Sequence, residues 1–167
     1  MKETIRYAWG QSTLGEFIVA VSGRGLVAVE FGDSRTRLKQ DLLQRFADAD
    51  AVEEPTALVE VIGKVVARIE QPHSDGELAL DLRGSDFELR VWQALRGIPA
   101  GETASYGDIA ARLGLPGMAR EVGQACAANT IAVLVPCHRV VKKDGSLSGY
   151  RWGVPRKRAL LEQEARA

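Results

Sequence analysis

Residues 16–31, EFIVAVSGRGLVAVEF, constrain the fold more than any other stretch of this chain. Two apolar runs rich in Val, Ile and Phe flank Ser22-Gly23-Arg24-Gly25. A short glycine-containing connection between such runs reads as a β-hairpin. Residues 4–9 read as a further strand, joined to the hairpin by a turn at STLGEF, so strands are expected over 4–9, 15–22 and 25–31. A sheet this small is stable only with an apolar face covered, and the sequence that follows has helices to cover it. SRTRLKQDLLQRF starts at an N-cap residue, Ser34, and sets Leu38, Leu42 and Phe46 on one helical face. AVEEP breaks the chain. TALVEVIGKVVARIEQP then places Leu58, Val61, Ile62, Val65, Val66 and Ile69 at helical spacing, an amphipathic helix ending near Pro72. QPHSDGE reads as a polar loop holding His73, to which no role is assigned, and ELALDLRG as a candidate additional strand.

The pattern changes near Gly84-Ser85. SDFELRVWQALRGIPAGE opens on a cap residue and aligns Phe87, Val91, Ala94 and Leu95 on one face. SYGDIAARLGLPGMAREVGQACAAN reads as a short helix, a turn at Gly114-Leu115-Pro116-Gly117 and a second helix to about Ala128, which is helix-turn-helix spacing. Ile131 to Val135 is a short buried apolar run. KKDGSLSGYRWG is a loop rich in Gly and Ser, and VPRKRALLEQEA is a closing helix with a proline near its start. The expected architecture is α+β in two domains. Residues 1–84 form a small antiparallel sheet with helices in a supporting role, and residues 85–167 form a mostly helical domain with a helix-turn-helix.

At 167 residues the chain has room for one large or two small cores. The formal net charge of zero argues weakly against nucleic acid, but residues 1–84 carry −4 and residues 85–167 carry +4. At this size that split is either chance scatter or an acidic supporting half and a basic working half. No apolar run approaches membrane-spanning length, and the first residues lack the apolar core of a secretory signal. Two cysteines are too few for a disulfide framework, and Cys126, Cys137, His73 and His138 lack zinc-finger spacing. A reduced, metal-free, cytoplasmic chain is expected.

Chemistry concentrates in VLVPCHRVV, residues 133–141, where Cys137 and His138 are adjacent in a chain with two of each. A thiolate is a strong nucleophile that needs a base or a positive environment to form near neutral pH, and His138 and Arg139 are candidate sources. Neighbours on a strand point to opposite faces, so a direct Cys–His contact needs a turn, or a water between them. A free cysteine is more often a small buried hydrophobe, and the dipeptide alone does not overturn that reading. Cys126, in a helix among alanines, is read as structural.

The surrounding motifs resemble one family. PCHRV, Asn129 eight residues before the cysteine, SGYRWG about a dozen after it, SDFELRVWQALRGIPAGETASYGDIA, REVGQACAAN and RKRALLEQEA are similar to the O6-alkylguanine-DNA alkyltransferases, especially the bacterial Ada C-terminal type. The resemblance is strong over about residues 80–167; the N-terminal half is similar only in its layout of strands and helices. It implies a monomeric DNA repair protein that flips O6-alkylguanine out of double-stranded DNA. The alkyl group would pass irreversibly to Cys137, once per molecule, with no metal or cofactor. By the same resemblance His138 acts through a water to deprotonate Cys137, Glu164 orients His138, and Asn129 is the hinge between recognition helix and acceptor segment. Tyr106 lines the guanine pocket and presses on the flipped nucleotide's phosphate. Backbone groups of Cys137, Val140 and Arg151 read the guanine edge, and Tyr150 covers the base. Arg120 is the finger that fills the gap in the duplex, with Gly117, Met118, Ala119, Glu121 and Tyr106 beside it on the DNA.

Two positions depart from the family pattern, both beside the finger: Pro116-Gly117-Met118 stands where Pro-Lys-Ala is usual, and Glu121 where a small residue is usual. An acidic side chain there repels phosphate. Trp152 is expected to narrow the pocket and to slow reaction with benzyl-type free-base inhibitors. The competing readings are an alkyltransferase-like module that binds lesions without transfer, a helix-turn-helix regulator with a structural Cys137, and, more weakly, a cysteine hydrolase.

Overall fold

The structure is a computed structural model and describes residues 2–74, 76–147 and 149–166. Asp75 of the polar loop and Ser148 of SGYRWG lie outside the described residues. The chain divides into two compact units, residues 1–82 and 83–167.

In the first unit, β1 (Thr4–Ser12), β2 (Gly15–Val21) and β3 (Leu26–Phe31) run antiparallel, with Tyr7 opposite Ala20 and Val19 opposite Val29. The SGRG connection closes through the Ser22 N–H to the Gly25 carbonyl at 2.8 Å. Glycine is required at Gly25, because a Cβ there would lie 2.5 Å from the Ala79 carbonyl oxygen. α1 (Arg35–Arg45) begins where Ser34 accepts the Arg37 N–H, and its Leu38 and Leu42 cover Ile5, Tyr7, Ile18, Ala20, Val27 and Ala28 of the sheet. Every residue of β3 is buried, Glu30 included, and Arg45 neutralises Glu30 at 3.1 Å.

Two expectations for this unit are corrected. The supposed break at AVEEP contributes β4 (Asp50–Glu53), which pairs parallel with β1 and gives the order β3-β2-β1-β4. It escapes a reading by hydrophobic pattern because it is an edge strand with no buried side chain, ordered by backbone pairing. ELALDLRG is not a strand. It meets β3 at a single bridge, Leu26 to Leu80, pinned beside it by a 2.6 Å hydrogen bond from Ser22 to Asp81. α2 (Val59–Glu70) follows one 3-10 turn (Thr56–Leu58), and it buries Val65 and Ile69 while Val61, Ile62 and Val66 are half-buried.

Gly10 of β1 faces the fully buried ring of Phe17, and an added Cβ would fall 2.4 Å from the ring's Cζ. Phe17 in turn packs edge-on against Phe31, so the ring has no free direction of retreat. Gly10→Ala is expected to destabilise the chain by about 1–3 kcal/mol through overpacking. Urea unfolding checks this, and an unchanged midpoint contradicts it.

In the second unit, α3 (Asp86–Arg96) starts on a capping box between Ser85 and Glu88. Its core contribution is Val91, Leu95 and also Trp92, whose Nε1–H donates to the Ala125 carbonyl at 2.9 Å. β5 (Ala104–Ser105) leads into α4 (Tyr106–Arg112), capped in the same way by Ser105 and Asp108. α5 (Ala119–Ala127) completes the helix-turn-helix. The apolar run 131–135 is buried but irregular: Leu134 N–H donates to the Ala132 carbonyl at 2.8 Å, and Val133 between them has φ +71°. That is a tight γ-turn, strained for a β-branched residue. β6 (Val140–Val141) pairs parallel with β5, and α6 (Val154–Arg166) buries Lys157, Leu160 and Glu164. Among the described residues no helix is long and apolar enough to cross a membrane.

Candidate active site

Cys137 opens one 3-10 turn, Cys137–Arg139, directly after Pro136. Adjacent residues on such a turn diverge by about 120°, so Cys137 and His138 project in different directions. Asn129 organises the approach to the turn. Its side-chain amide donates to the Val135 carbonyl at 3.0 Å and approaches the Cys137 Sγ at 3.4 Å, while its oxygen accepts the Ile131 N–H at 2.9 Å. The side chain, 1% exposed, thus fixes both ends of the strained loop and the position of the sulfur.

His138 is fully buried, and its Nε2 lies 2.7 Å from Glu164 Oε2. Arg139 clamps the same carboxylate from Nε and Nη2, both at 2.9 Å, and donates Nη1 to the Ile98 carbonyl at 2.6 Å. Burial opposes ionisation of Glu164, but the hydrogen bonds and charges of His138 and Arg139 prevail and hold its pKa at about 2. Burial pushes the His138 pKa below its ordinary value despite the carboxylate, so the imidazole is neutral near neutral pH. An ionised carboxylate only accepts, so Nε2 carries the hydrogen and Nδ1 is the lone-pair nitrogen. Nδ1 is buried and has no hydrogen-bond partner among the described residues.

A cavity of about 370 Å³ opens at the thiol, lined by Tyr106, Gly123, Cys126, Ala127, Cys137, Gly149, Tyr150 and Arg151. Burial raises the Cys137 pKa to about 11, against the Asn129 hydrogen bond and the charges of Lys157 and Arg151, which favour the thiolate. The resting sulfur is therefore a thiol. Burial likewise raises Cys126 to about 12. The Tyr150 hydroxyl is buried without a hydrogen-bond partner among the described residues, and its ring packs edge-on against Trp152.

Of the residues singled out from sequence, Cys137, Tyr106, Tyr150 and Arg151 meet at this cavity. Asn129, His138 and Glu164 are buried around the acceptor turn without lining the cavity, and Val140 is fully buried in β6. Gly117, Met118, Ala119, Arg120 and Glu121 cluster at the start of α5, with Arg120 exposed and Glu121 half-buried in the helix's first turn. Gly117 has φ +91°, a conformation that suits glycine at the turn between the two helices.

Three expectations change. Trp152 is 5% exposed and packed on Tyr150, so Arg151 and not Trp152 stands at the cavity. Arg139 spends its charge on Glu164; the cations that favour the Cys137 thiolate are Lys157 and Arg151. Cys126, read as structural, is buried but borders the same cavity as Cys137. Lys157 was not foreseen, yet it is fully buried. Its signal lay in α6, where Lys157, Leu160 and Glu164 fall at i, i+3 and i+7 on one inward face.

Both units match known family models. Residues 5–82 match the 6-O-methylguanine DNA methyltransferase ribonuclease-like domain, and residues 86–166 match the DNA binding domain of the same name. The chain is 46% identical over 161 residues to the bifunctional transcriptional activator/DNA repair enzyme Ada of Escherichia coli, covering 96% of this chain and 46% of that protein. It is 59% identical over 88 residues to the methylated-DNA–protein-cysteine methyltransferase of Mycobacterium tuberculosis, 53% of each chain. The aligned regions thus span about half the length of these relatives. The crystal structure of Mycobacterium tuberculosis OGT in complex with DNA superposes with a TM-score of 0.80 at 38% identity, over 98% of this chain and 93% of that one. With a family domain matched in each unit and an α+β fold shared with a solved relative, the chain belongs to the 6-O-methylguanine DNA methyltransferase family.

Proposed function

We propose that this protein repairs double-stranded DNA by flipping out O6-alkylguanine and transferring the alkyl group irreversibly to Cys137, acting as a monomer in the cytoplasm. The observation that carries this reading is a thiol at the wall of a cavity, beside a neutral histidine held by an ionised, buried carboxylate. In the resting protein the thiol keeps its proton, which protects it from adventitious electrophiles. His138 Nδ1, acting through a water, removes that proton when a lesion fills the cavity. Glu164 stabilises the imidazolium that forms, and Lys157 and Arg151 stabilise the thiolate. Sulfur then attacks the alkyl carbon, the carbon–O6 bond breaks with its electron pair leaving on O6, and the proton held by His138 returns to the departing guanine. The thioether product is not hydrolysed by water, so each molecule acts once. No step calls for a metal or cofactor.

Extrusion falls to the start of α5: Arg120 fills the gap in the stack, Tyr106 crowds the flipped nucleotide's phosphate, and Tyr150 covers the base. Incubation with a duplex containing one O6-methylguanine tests the reading. One methyl per molecule, mapped to the Cys137 peptide, supports it. Lesion binding without transfer would instead indicate a lesion-binding module, and sequence-specific binding indifferent to lesions a regulator.

Glu121 weakens duplex binding in this proposal. It makes no ion pair among the described residues, and near a phosphate its carboxylate costs about 1 kcal/mol. It also sits in the first turn of a helix whose N-cap, Met118, offers no side-chain hydrogen bond, where a negative charge stabilises the helix by about 0.3–1 kcal/mol. Glu121→Ala is expected to bind duplex several-fold more tightly at low salt, with the gain shrinking as salt screens it, and to melt slightly earlier. Kd values across a salt series check this; unchanged or weaker binding by the variant rejects it.

A further inference from the structure

We infer that Cys126 and Cys137 together form a two-thiol site for trivalent arsenicals that carry one organic group. Capture at this site does not depend on the alkyl-transfer reading; its consequence, blocked transfer, does. Both cysteines line the same cavity, and Cys126 has no part in the chemistry proposed above. Though eleven residues apart in sequence, they are tied to one residue. The backbone N–H of Asn129 donates to the Cys126 carbonyl at 3.2 Å, and its side-chain amide approaches the Cys137 Sγ at 3.4 Å. Both are free thiols and both are buried, so a ligand reaches them through the cavity. At about 370 Å³ the cavity exceeds the roughly 150 Å³ in which a protein interior binds benzene, so a phenylarsenic group has room in it.

The protonation state of the pair selects the ligand. Burial holds both thiols protonated well above neutral pH, and a charge on Cys137 further opposes ionisation of Cys126. Attack on a peroxide and exchange with a disulfide both need a thiolate, which this pair withholds at rest. An arsenical needs none to be pre-formed. Phenylarsine oxide, once hydrated, carries two hydroxyl groups on arsenic. Each As–O bond breaks as an As–S bond forms, each thiol proton leaves on the departing oxygen, and the products are a phenylarsenic dithiolate and two waters. Arsenic stays trivalent throughout, and the product places no net charge in a buried site. A zinc ion would need further ligands, and among the described residues no group of three or more His, Cys, Asp or Glu is placed to hold a metal ion.

The test reads capture and release by intact mass. Wild type treated with phenylarsine oxide is expected to take up one phenylarsenic group, to hold it against excess glutathione, a monothiol, and to yield it to dithiothreitol, a dithiol. While loaded it should accept no methyl from methylated duplex, and dithiothreitol should restore acceptance. Cys126→Ala should release its adduct at about a hundredfold less glutathione, the scale on which a second bond closed within one molecule strengthens capture. Methyl transfer by the unloaded variant shows that it is folded, and Cys126→Ser repeats the comparison with a residue of closer size. A wild-type adduct that glutathione removes as readily as dithiothreitol does, or a Cys126→Ala adduct held as firmly as that of wild type, overturns the inference. A firmly held adduct on a protein that never accepts methyl upholds the two-thiol site and overturns the alkyl-transfer reading instead.

Discussion

Cys137→Ser is expected to lose alkyl transfer by a factor of at least about a thousand while duplex binding persists. A serine hydroxyl is a far weaker nucleophile than a thiolate, and the single histidine that serves a thiol is poorly matched to an alcohol in this displacement. The substitution is nearly isosteric, and the Asn129 amide that approaches Sγ at 3.4 Å can donate to the hydroxyl instead. Folding is therefore preserved, and the loss reports chemistry. Intact-mass measurement after incubation with methylated duplex checks the result. Transfer by the serine variant, or label on Cys126 in wild type, contradicts the assignment.

The second large effect lies at Glu164. Glu164→Ala removes the acceptor for His138 and for two of the Arg139 hydrogen bonds and leaves a mostly buried cation without its carboxylate, which costs about 3 kcal/mol. Glu164→Gln keeps the shape but not the charge, and separates folding from proton transfer: the gentler variant should fold and still transfer slowly. The pH dependence has a definite sign. The Glu164 pKa is lowered from 4.5 to about 2 in the folded chain, so its contribution, about 3 kcal/mol, is present above pH 4.5 and lost as pH falls toward 2. His138 is depressed below 6.5, so the unfolded chain takes up that proton first and stability also declines as pH drops below 6.5. Acid unfolding of wild type should therefore begin in the mildly acidic range and steepen below pH 4.5, and Glu164→Gln should flatten the lower part. A wild-type unfolding midpoint unchanged from pH 7 to 5 contradicts the His138 assignment, and one unchanged from pH 4.5 to 2 contradicts the Glu164 assignment.

How much of this was legible in the sequence follows from which interactions carry each element. The hairpin around SGRG, the helix after Ser34 and the two helices around Gly114–Gly117 announce themselves through local periodicity and turn chemistry, and the structure has them. β4 did not, because an edge strand with exposed side chains is held by hydrogen bonds to β1, a partner more than forty residues away. ELALDLRG misled in the opposite way: alternation without a neighbour to pair along its length yields one bridge. At the site, adjacency made Cys137 and His138 visible and family likeness supplied Glu164. The electrostatic division of labour was not visible. Whether Arg139 serves Cys137 or Glu164 depends on which way a 3-10 turn projects its side chains, and a strand-based reading of VLVPCHRVV has no access to that. Lys157 is the instructive omission, since the spacing that made Leu160 inward-facing applied to it equally. Lysine is seldom fully buried, so a charged residue on an apolar stripe reads as solvent-facing.

Under the proposed reaction, the γ-turn at Val133 bears on how long a spent molecule survives. Cys137 is 4% exposed and the loop leading to it is already strained at a β-branched residue with φ +71°. The added carbon enters the cavity, but a thioether sulfur offers the Asn129 amide a poorer contact than the thiol, and that same side chain holds Ile131 and Val135 at the two ends of this loop. Weakening that contact loosens the hold and lets the strain relax by local opening. A repair agent consumed by its own product would then carry its expiry mark in the acceptor loop, and cellular repair capacity would be set by the balance of synthesis and disposal rather than by any catalytic rate.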